Sequence, residues 1–568
     1  MNIVYTSSPL YRLLLEQGDN KNDVIEEINK MIETSGFTLQ EVYDFLNHYP
    51  KYQYTKENIY KYCNLVSYLS YDIAEDFSEH IFRKYILEKQ FLNIIGNFLC
   101  IINVITDFCK HANKILNDDL LLYFSKYVTI TELNAYNNKK ITNVNYLTEL
   151  VELDASCDSG IDNAGISQLK NLQKLDVSYN SKITNVNHLT ELDELEASCD
   201  CGIDNAGISQ LKNLQKLNAW NNPKITNINH LTKLVELDAS GFYCGIDDAG
   251  ISQLGKLQKL NASENSKITN VNHLTELVEL DASDECRIDD AGISQLKKLR
   301  ILDAHNNKNI TDVNHLTELV ELDASCNCGI GDAGISQLKN LRKLNANNNP
   351  KITNVNHFTE LVKLDALWEC GIDDVGISQL KKLQILNAYN NPKITNVNHL
   401  TELVELDAPL NCGIGDAGIS QLKKLQKLNA SYNSKITNVN HLTELIELDA
   451  PDKCGIDDAG ISQLKNLQKL NAYNNPKITD VNHFTKLVKL DASRVCGINN
   501  DGIFQLKNLQ ILYTWGNPTI TDVNHLTELV ELDASDYYCG INDAGISQLK
   551  KLQKLKARDN PKITTKIN

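Results

Sequence analysis

The stretch Asn391-Pro392-Lys393-Ile394-Thr395-Asn396-Val397-Asn398-His399-Leu400 recurs, almost letter for letter, along most of this 568-residue chain. Its isoleucine stands at Ile141, Ile183, Ile225, Ile268, Ile310, Ile352, Ile394, Ile436, Ile478, Ile520 and Ile563. The step is 42 residues, lengthened to 43 from 225 to 268 and from 520 to 563. A fixed long period marks a stacked array, in which each unit buries its apolar face only against its neighbours. Such a chain needs no single core, so its length carries no count of globular domains.

Each period holds two shorter units. One runs from Leu169 through Leu172, Leu175, Val177, Asn180 and Ile183. The other runs from Leu189 through Leu192, Leu195, Ala197, Cys201 and Ile203. Both read L-x-x-L-x-x-L-x-A, then a polar residue and an isoleucine, which matches the leucine-rich-repeat pattern of 20–29 residues per coil. Eleven Asn-type and ten Cys-type units make 21 coils. The Cys-type segments 244–254 and 454–464 (Cys-Gly-Ile-Asp-Asp-Ala-Gly-Ile-Ser-Gln-Leu) resemble the cysteine-containing repeats of F-box substrate receptors. The Asn-type segment Leu-Gln-Lys-Leu-Asn-Ala-Tyr-Asn-Asn-Pro-Lys-Ile-Thr (467–479) is similar to internalin-like repeats. With its composition, the chain also resembles leucine-rich-repeat proteins of large DNA viruses. The resemblance covers about residues 118–568 and implies an α/β solenoid, a curved parallel sheet; the residues ahead of it read as an all-α domain on their own pattern. It implies little about function, because such repeats host many partners.

Within a coil, Lys469-Leu470-Asn471-Ala472 alternates outward and inward as a short strand must. The segment 247–254 is expected to return over the outer face as a turn or short helix. Asn138, Asn180, Asn222, Asn265, Asn307, Asn349, Asn391, Asn433, Asn475, Asn517 and Asn560 form a ladder where each strand ends. A buried amide there satisfies backbone groups of the turn.

Net charge is −17, which argues against nucleic acid. Segment 91–108 is the most apolar, but Asn93, Asn97, Asn103 and Asp107 make it a buried helix rather than a membrane span. No basic segment followed by an apolar run opens the chain. Fifteen cysteines without such a leader point to free thiols in a reducing, intracellular compartment.

Three further ladders imitate sites. Equivalent cysteines (Cys201, Cys244, Cys286, Cys328, Cys370, Cys412, Cys454, Cys496 and Cys539, with Ser159 in the first copy) lie two coils apart. That is about 10 Å, beyond disulfide or zinc reach. The histidines His188, His230, His273, His315, His357, His399, His441, His483 and His525 share one environment. A catalytic histidine needs a unique one. Asp154, Glu196, Asp238, Asp281, Asp323, Asp365, Asp407, Asp449, Asp491 and Asp533 read as a solvated acidic stripe. Beside them Lys216, Glu236, Lys259 and Glu279 alternate in sign, which favours register.

A perfect array has no unique site, so its departures are the candidates. Tyr136, Trp220, Trp368, Tyr389, Tyr473 and Trp515 fall just after strands, and the 43-residue periods carry Phe242-Tyr243 and Tyr537-Tyr538. Exposed Trp and Tyr suit protein interfaces; the alternative is drift at a tolerant surface position. Residues 1–117 lack the repeat and read as a helical domain capping the first coil, with a helix from Leu39 to about His48 opened by Thr38-Leu-Gln-Glu41 and further helices over 22–32, 56–88 and 90–116. Residues 91–120 are distantly similar to an F-box, without its Leu-Pro opening or the tryptophan after Cys109-Lys110. The C-terminus at Asn568 falls in mid-coil, so the last coil is expected to fray, dimerise or bind.

No P-loop, nucleophile elbow, zinc spacing or isolated Cys/His pair occurs. The reading is a non-enzymatic, cofactor-free solenoid that binds another protein on its concave face, touching neither nucleic acid nor membrane. The alternative is a ubiquitin-ligase substrate receptor whose N-terminal helices recruit the ligase adaptor.

Overall fold

A computed structural model describes residues 116–126 and 129–564. The expected helices up to residue 115, and most of the F-box-like stretch, lie outside these residues, as does the last tetrapeptide. The chain divides into two compact units, Met1–Leu277 and Val278–Asn568. The first holds helix α1 (Asp118–Ser125) and strands β1 (Glu132–Asn134) to β7 (Lys259–Asn261). The second holds β8 (Glu279–Asp281) to β21 (Lys554–Lys556).

Every strand is three residues long and pairs in parallel with its chain neighbour in the same unit, without a register slip. Leucine faces leucine, as in Leu217 against Leu237, while the flanking residues point outward. The reason is in the pattern: only the central leucine and the following alanine are apolar, and a one-residue slip would bury the charged pair instead. Outer segments return as turns, as a 3₁₀ turn at Ala249–Ile251, or as single helical turns such as Asp458–Ile461.

The opening phrase shows how one coil is held. Asn391 is fully buried; its Nδ2 donates to Ala366 O (2.9 Å) and Ile372 O (3.2 Å), and its Oδ1 accepts from Lys393 N (3.0 Å). Ile394, Val397 and Leu400 fill the core. Thr395 N and Oγ1 both donate to the carboxylate of Asp374, one coil back. Asn398 joins the next outer turn, through Ala417 O and Gln421 N. His399 Nε2 donates to Ile377 O at 2.9 Å. All the ladder asparagines are buried, and the Asn180, Asn265, Asn349, Asn433 and Asn475 amides bond the preceding coil in the same way. Glycine in the outer turn is forced by close approach: a Cβ on Gly460 would collide with the Thr437 carbonyl of the preceding coil.

Helix α1 completes this scheme at the start of the array. Asn138 Nδ2 donates to Leu116 O (2.9 Å), and Thr142 and Asn143 donate to the Asp118 carboxylate. Thr269 and Asn270 use Asp248 identically. Tyr146, standing where later coils have histidine, reaches Asp118 O at 3.0 Å. Leu116 and Asp118 thus stand in for the outer half of a coil, so contacts of the array reach to residue 116.

Truncating Asn391 to alanine strands two buried carbonyls and one N–H. The substitution should lower unfolding stability by about 1–3 kcal/mol, read from the urea midpoint followed by circular dichroism. Gly460→Ala should also destabilise.

Candidate protein-binding surface

After each strand the chain leaves the sheet through the same turn. In most Asn-type coils the third strand residue is Asn or Asp, and its Oδ1 accepts from the N–H two residues on, as in Asn218 with Trp220 (2.8 Å) and Asn387 with Tyr389 (3.0 Å). The next residue is left-handed in every Asn-type coil, from Asn137 (φ +54°) to Asp559 (φ +60°). The buried amide then pins the chain down. In the Asn-type coils two side chains therefore stand out at the carboxyl edge of the sheet, whereas in the Cys-type coils the first of these positions is mostly a buried serine.

The sequence-derived aromatics sit on this edge. Tyr136, Trp220, Tyr389, Tyr473 and Trp515 occupy the first projecting position and Trp368 the second. In the first unit Tyr136, Trp220, Phe242 and Tyr243 are exposed. In the second unit the rings of Trp368 and Tyr389 pack at 5.3 Å between centroids, and Tyr537 and Tyr538 meet edge-on at 5.5 Å. Trp515 is covered on one face by the Arg494 guanidinium at 4.3 Å, and Lys489 lies 5.1 Å from the Tyr513 ring.

Four edge residues escaped the sequence reading. Tyr179 and Tyr432 take the second projecting position with φ +59° and +57°, and Trp368 does so with φ +56°. Left-handed backbone costs such side chains about 1–2 kcal/mol, and asparagine, present in most Asn-type coils, sits there more easily. Tyr513 replaces a strand Asn or Asp. His305 is the one histidine among the described residues outside the repeated phrase; its Nδ1 lies 2.8 Å from Ser325 Oγ and its Nε2 3.8 Å from Asp284 Oδ1. The usable signal was the same in each case: a mismatch against the other copies.

The carboxylate stripe differs from the expected solvated row. Its members are half-buried and bond their own turns: Asp154, Asp238, Asp281, Asp323, Asp491 and Asp533 accept from the N–H of a serine two residues on. Burial pushes Asp407, Asp449 and Asp491 above the usual carboxylate range. Asp303, in register between Asp281 and Asp323, is raised to about 6, chiefly by burial. The first strand position carries partial charge alternation. Lys216–Glu236 (3.6 Å) and Lys469–Glu447 (3.1 Å) are ion pairs, but Lys343 faces Lys363 and Lys469 faces Lys489. Ion pairs this exposed contribute about 0–1 kcal/mol.

The other ladders are scaffold. All nine ladder cysteines are buried, and none is in a disulfide. Burial pushes Cys201, Cys244, Cys328, Cys370, Cys412 and Cys454 up to about 11 and Cys496 to about 12. Each of the nine histidines bonds an isoleucine carbonyl one coil back, as His230 does with Ile208 O. Among the described residues no group of His, Cys, Asp or Glu could hold a metal, and no helix is long and apolar enough to cross a membrane.

No protein-family model and no curated protein sequence matches the chain. TLR13 in its complex with ssRNA13 is similar in structure, with a TM-score of 0.55 and 21% identity over 78% of this chain and 72% of that one. A leucine-rich-repeat protein of Leptospira interrogans gives 0.34 and 22% over 77% and 98%. The functional domain of InlJ from Listeria monocytogenes, which includes a cysteine ladder, gives 0.29 and 21% over 75% and 73%. The TLR13 likeness, with the in-register strands and the Asn ladder, establishes the leucine-rich-repeat fold.

Two outcomes follow. In the folded protein at pH 8, Cys201, Cys244, Cys370 and Cys412 should resist iodoacetamide and label only after denaturation, as mapped by mass spectrometry. Because folded Asp303 holds its proton more tightly than the unfolded carboxyl, its contribution favours folding below about pH 4 and is lost as pH rises through about 6. Asp303→Asn, which keeps the acceptor for His305 N, should therefore raise the melting temperature at pH 7.5 and change it little at pH 3.5.

Proposed function

We propose that this chain is a non-enzymatic scaffold that binds another protein along the carboxyl edge of its strands, on the face expected to be concave. The observation that carries the reading is the Trp368–Tyr389 pair. Trp368 is held in a left-handed conformation (φ +56°), which costs a bulky side chain more than the asparagine, aspartate or glycine found at many equivalent positions, and it is 47% exposed. Strain that persists against a cheaper alternative is a mark of functional positions, and Trp and Tyr dominate interface energetics. The acidic row beside the aromatics repels a phosphate backbone and favours protein over nucleic acid as the partner. Free buried thiols suit a reducing, intracellular compartment.

Partner recovery by the full chain, compared between wild type and a Trp368→Ala/Tyr389→Ala/Tyr473→Ala variant, tests this. Proteins enriched by wild type should fall about tenfold or more with the variant; unchanged recovery would sink the reading. The ligase-receptor alternative depends on residues 91–120, and its adaptor would be retained by the aromatic variant.

A further inference from the structure

The departures from the array are concentrated in one place. In the Cys-type coils the first projecting position is serine at 156, 198, 240, 283, 325, 493 and 535. In three successive Cys-type coils of the second unit it is instead Leu367, Pro409 and Pro451. The Asn-type coils that follow each of them carry Tyr389, Tyr432 and Tyr473. Pro409 and Pro451 are buried, as the serines of the other Cys-type coils are, whereas Tyr432 is 44% exposed, so low proline steps alternate with tyrosines along this edge.

The prolines change the chemistry of two carboxylates. Proline has no N–H, and with the serine gone its hydroxyl is gone too. Asp407 and Asp449 therefore lack the backbone donor that Asp323, Asp491 and Asp533 receive from serine. The Asn429 and Asn471 side chains offset part of the burial of Asp407 and Asp449, and the Lys489 charge does so for Asp449. Both are half-buried, and neither forms an ion pair among the described residues. Lys427 and Lys469, the cations one coil on, are engaged by Glu405 and Glu447. Asp452 adds a further carboxylate against the Tyr432 hydroxyl, with Lys453 the one cation beside it in sequence. A half-buried carboxylate short of donors is satisfied best by a cation that brings its own N–H groups.

Spacing selects the shape of the ligand. Asp407 and Asp449 are two coils apart, as are successive tyrosines. Two strand spacings make about 9.6 Å, and three residues of polyproline II advance about 9.3 Å. The same edge already takes cations where the chain supplies them, at Arg494 over Trp515 and Lys489 by Tyr513.

We propose that the edge formed by Tyr389, Tyr432, Tyr473, Asp407 and Asp449 docks an extended, basic, proline-rich segment of a partner protein, with Lys or Arg at every third residue. The basic side chains bond Asp407 and Asp449, and the intervening residues lie over the proline steps between the tyrosine rings. This deepens the scaffold reading and rests on it.

The test uses the full chain and fluorescein-labelled twelve-residue peptides followed by anisotropy. The repeat Arg-Pro-Pro should bind, more weakly as salt rises, while Glu-Pro-Pro and the two-residue repeat Arg-Pro should bind at least about tenfold more weakly. Asp407→Asn/Asp449→Asn should weaken Arg-Pro-Pro by about tenfold or more. Pro409→Ser/Pro451→Ser restores the residues of the other coils and so should fold; by returning donors to the two carboxylates it should also weaken binding. Equal binding of Arg-Pro-Pro and Glu-Pro-Pro, or no effect of either double variant, overturns the proposal. Should the aromatic triple variant lose its cellular partner while Asp407→Asn/Asp449→Asn retains it, the scaffold reading stands and the basic-segment docking falls.

Discussion

The buried asparagine amide is the interaction on which the rest depends. A three-residue strand hydrogen-bonds to its neighbours and then turns away inside the stack, leaving carbonyls and an N–H with no water to meet them. One side chain, as in Asn391, answers all of these from the adjacent coil. Because the amide reaches backward, each coil is finished only by the one before it. Leu116 and Asp118 of the α1 segment serve that purpose for the first strand.

That constraint separates scaffold from surface. Residues tied to the preceding coil (the asparagine, the threonine, the histidine, the outer glycine) cannot vary without stranding a partner, and they hardly do. The two positions between strand and asparagine have no such duty beyond accepting a left-handed turn. The chain spends its variety there: tryptophan, tyrosine, histidine, arginine, proline. Placing Trp368, Tyr179 and Tyr432 on left-handed backbone runs against local preference, whereas the buried thiols and the Ile-bonded histidines agree with every local rule.

Much of this was legible in the sequence. The 42-residue period, the split into two coil types, the inward leucine and alanine, and the structural roles of the Asn, Cys and His ladders all follow from repetition, since a residue repeated in one environment has one physical reason. The carboxylates were less legible. Asp407 and Asp491 look alike in sequence, and their difference lies in Pro409 against Ser493, a donor that becomes visible only when the turn is drawn. Tyr432 and His305 do not stand out in the sequence because they sit one position aside from, or differ in type from, the other edge aromatics.

The sequence alone determined the fold, the coil count and the register, because periodic apolar residues leave a single way to bury the leucines. Only the tertiary structure decided which outward groups meet. The packing of Trp368 on Tyr389, the Arg494 guanidinium over Trp515, the raised Asp303 between Asp281 and Asp323, and the donor-poor Asp407 and Asp449 all arise between coils some twenty residues apart in sequence. Distances of that kind are set by stacking, which within each unit brings a coil within about 5 Å of the next and makes neighbours of residues that no local pattern connects.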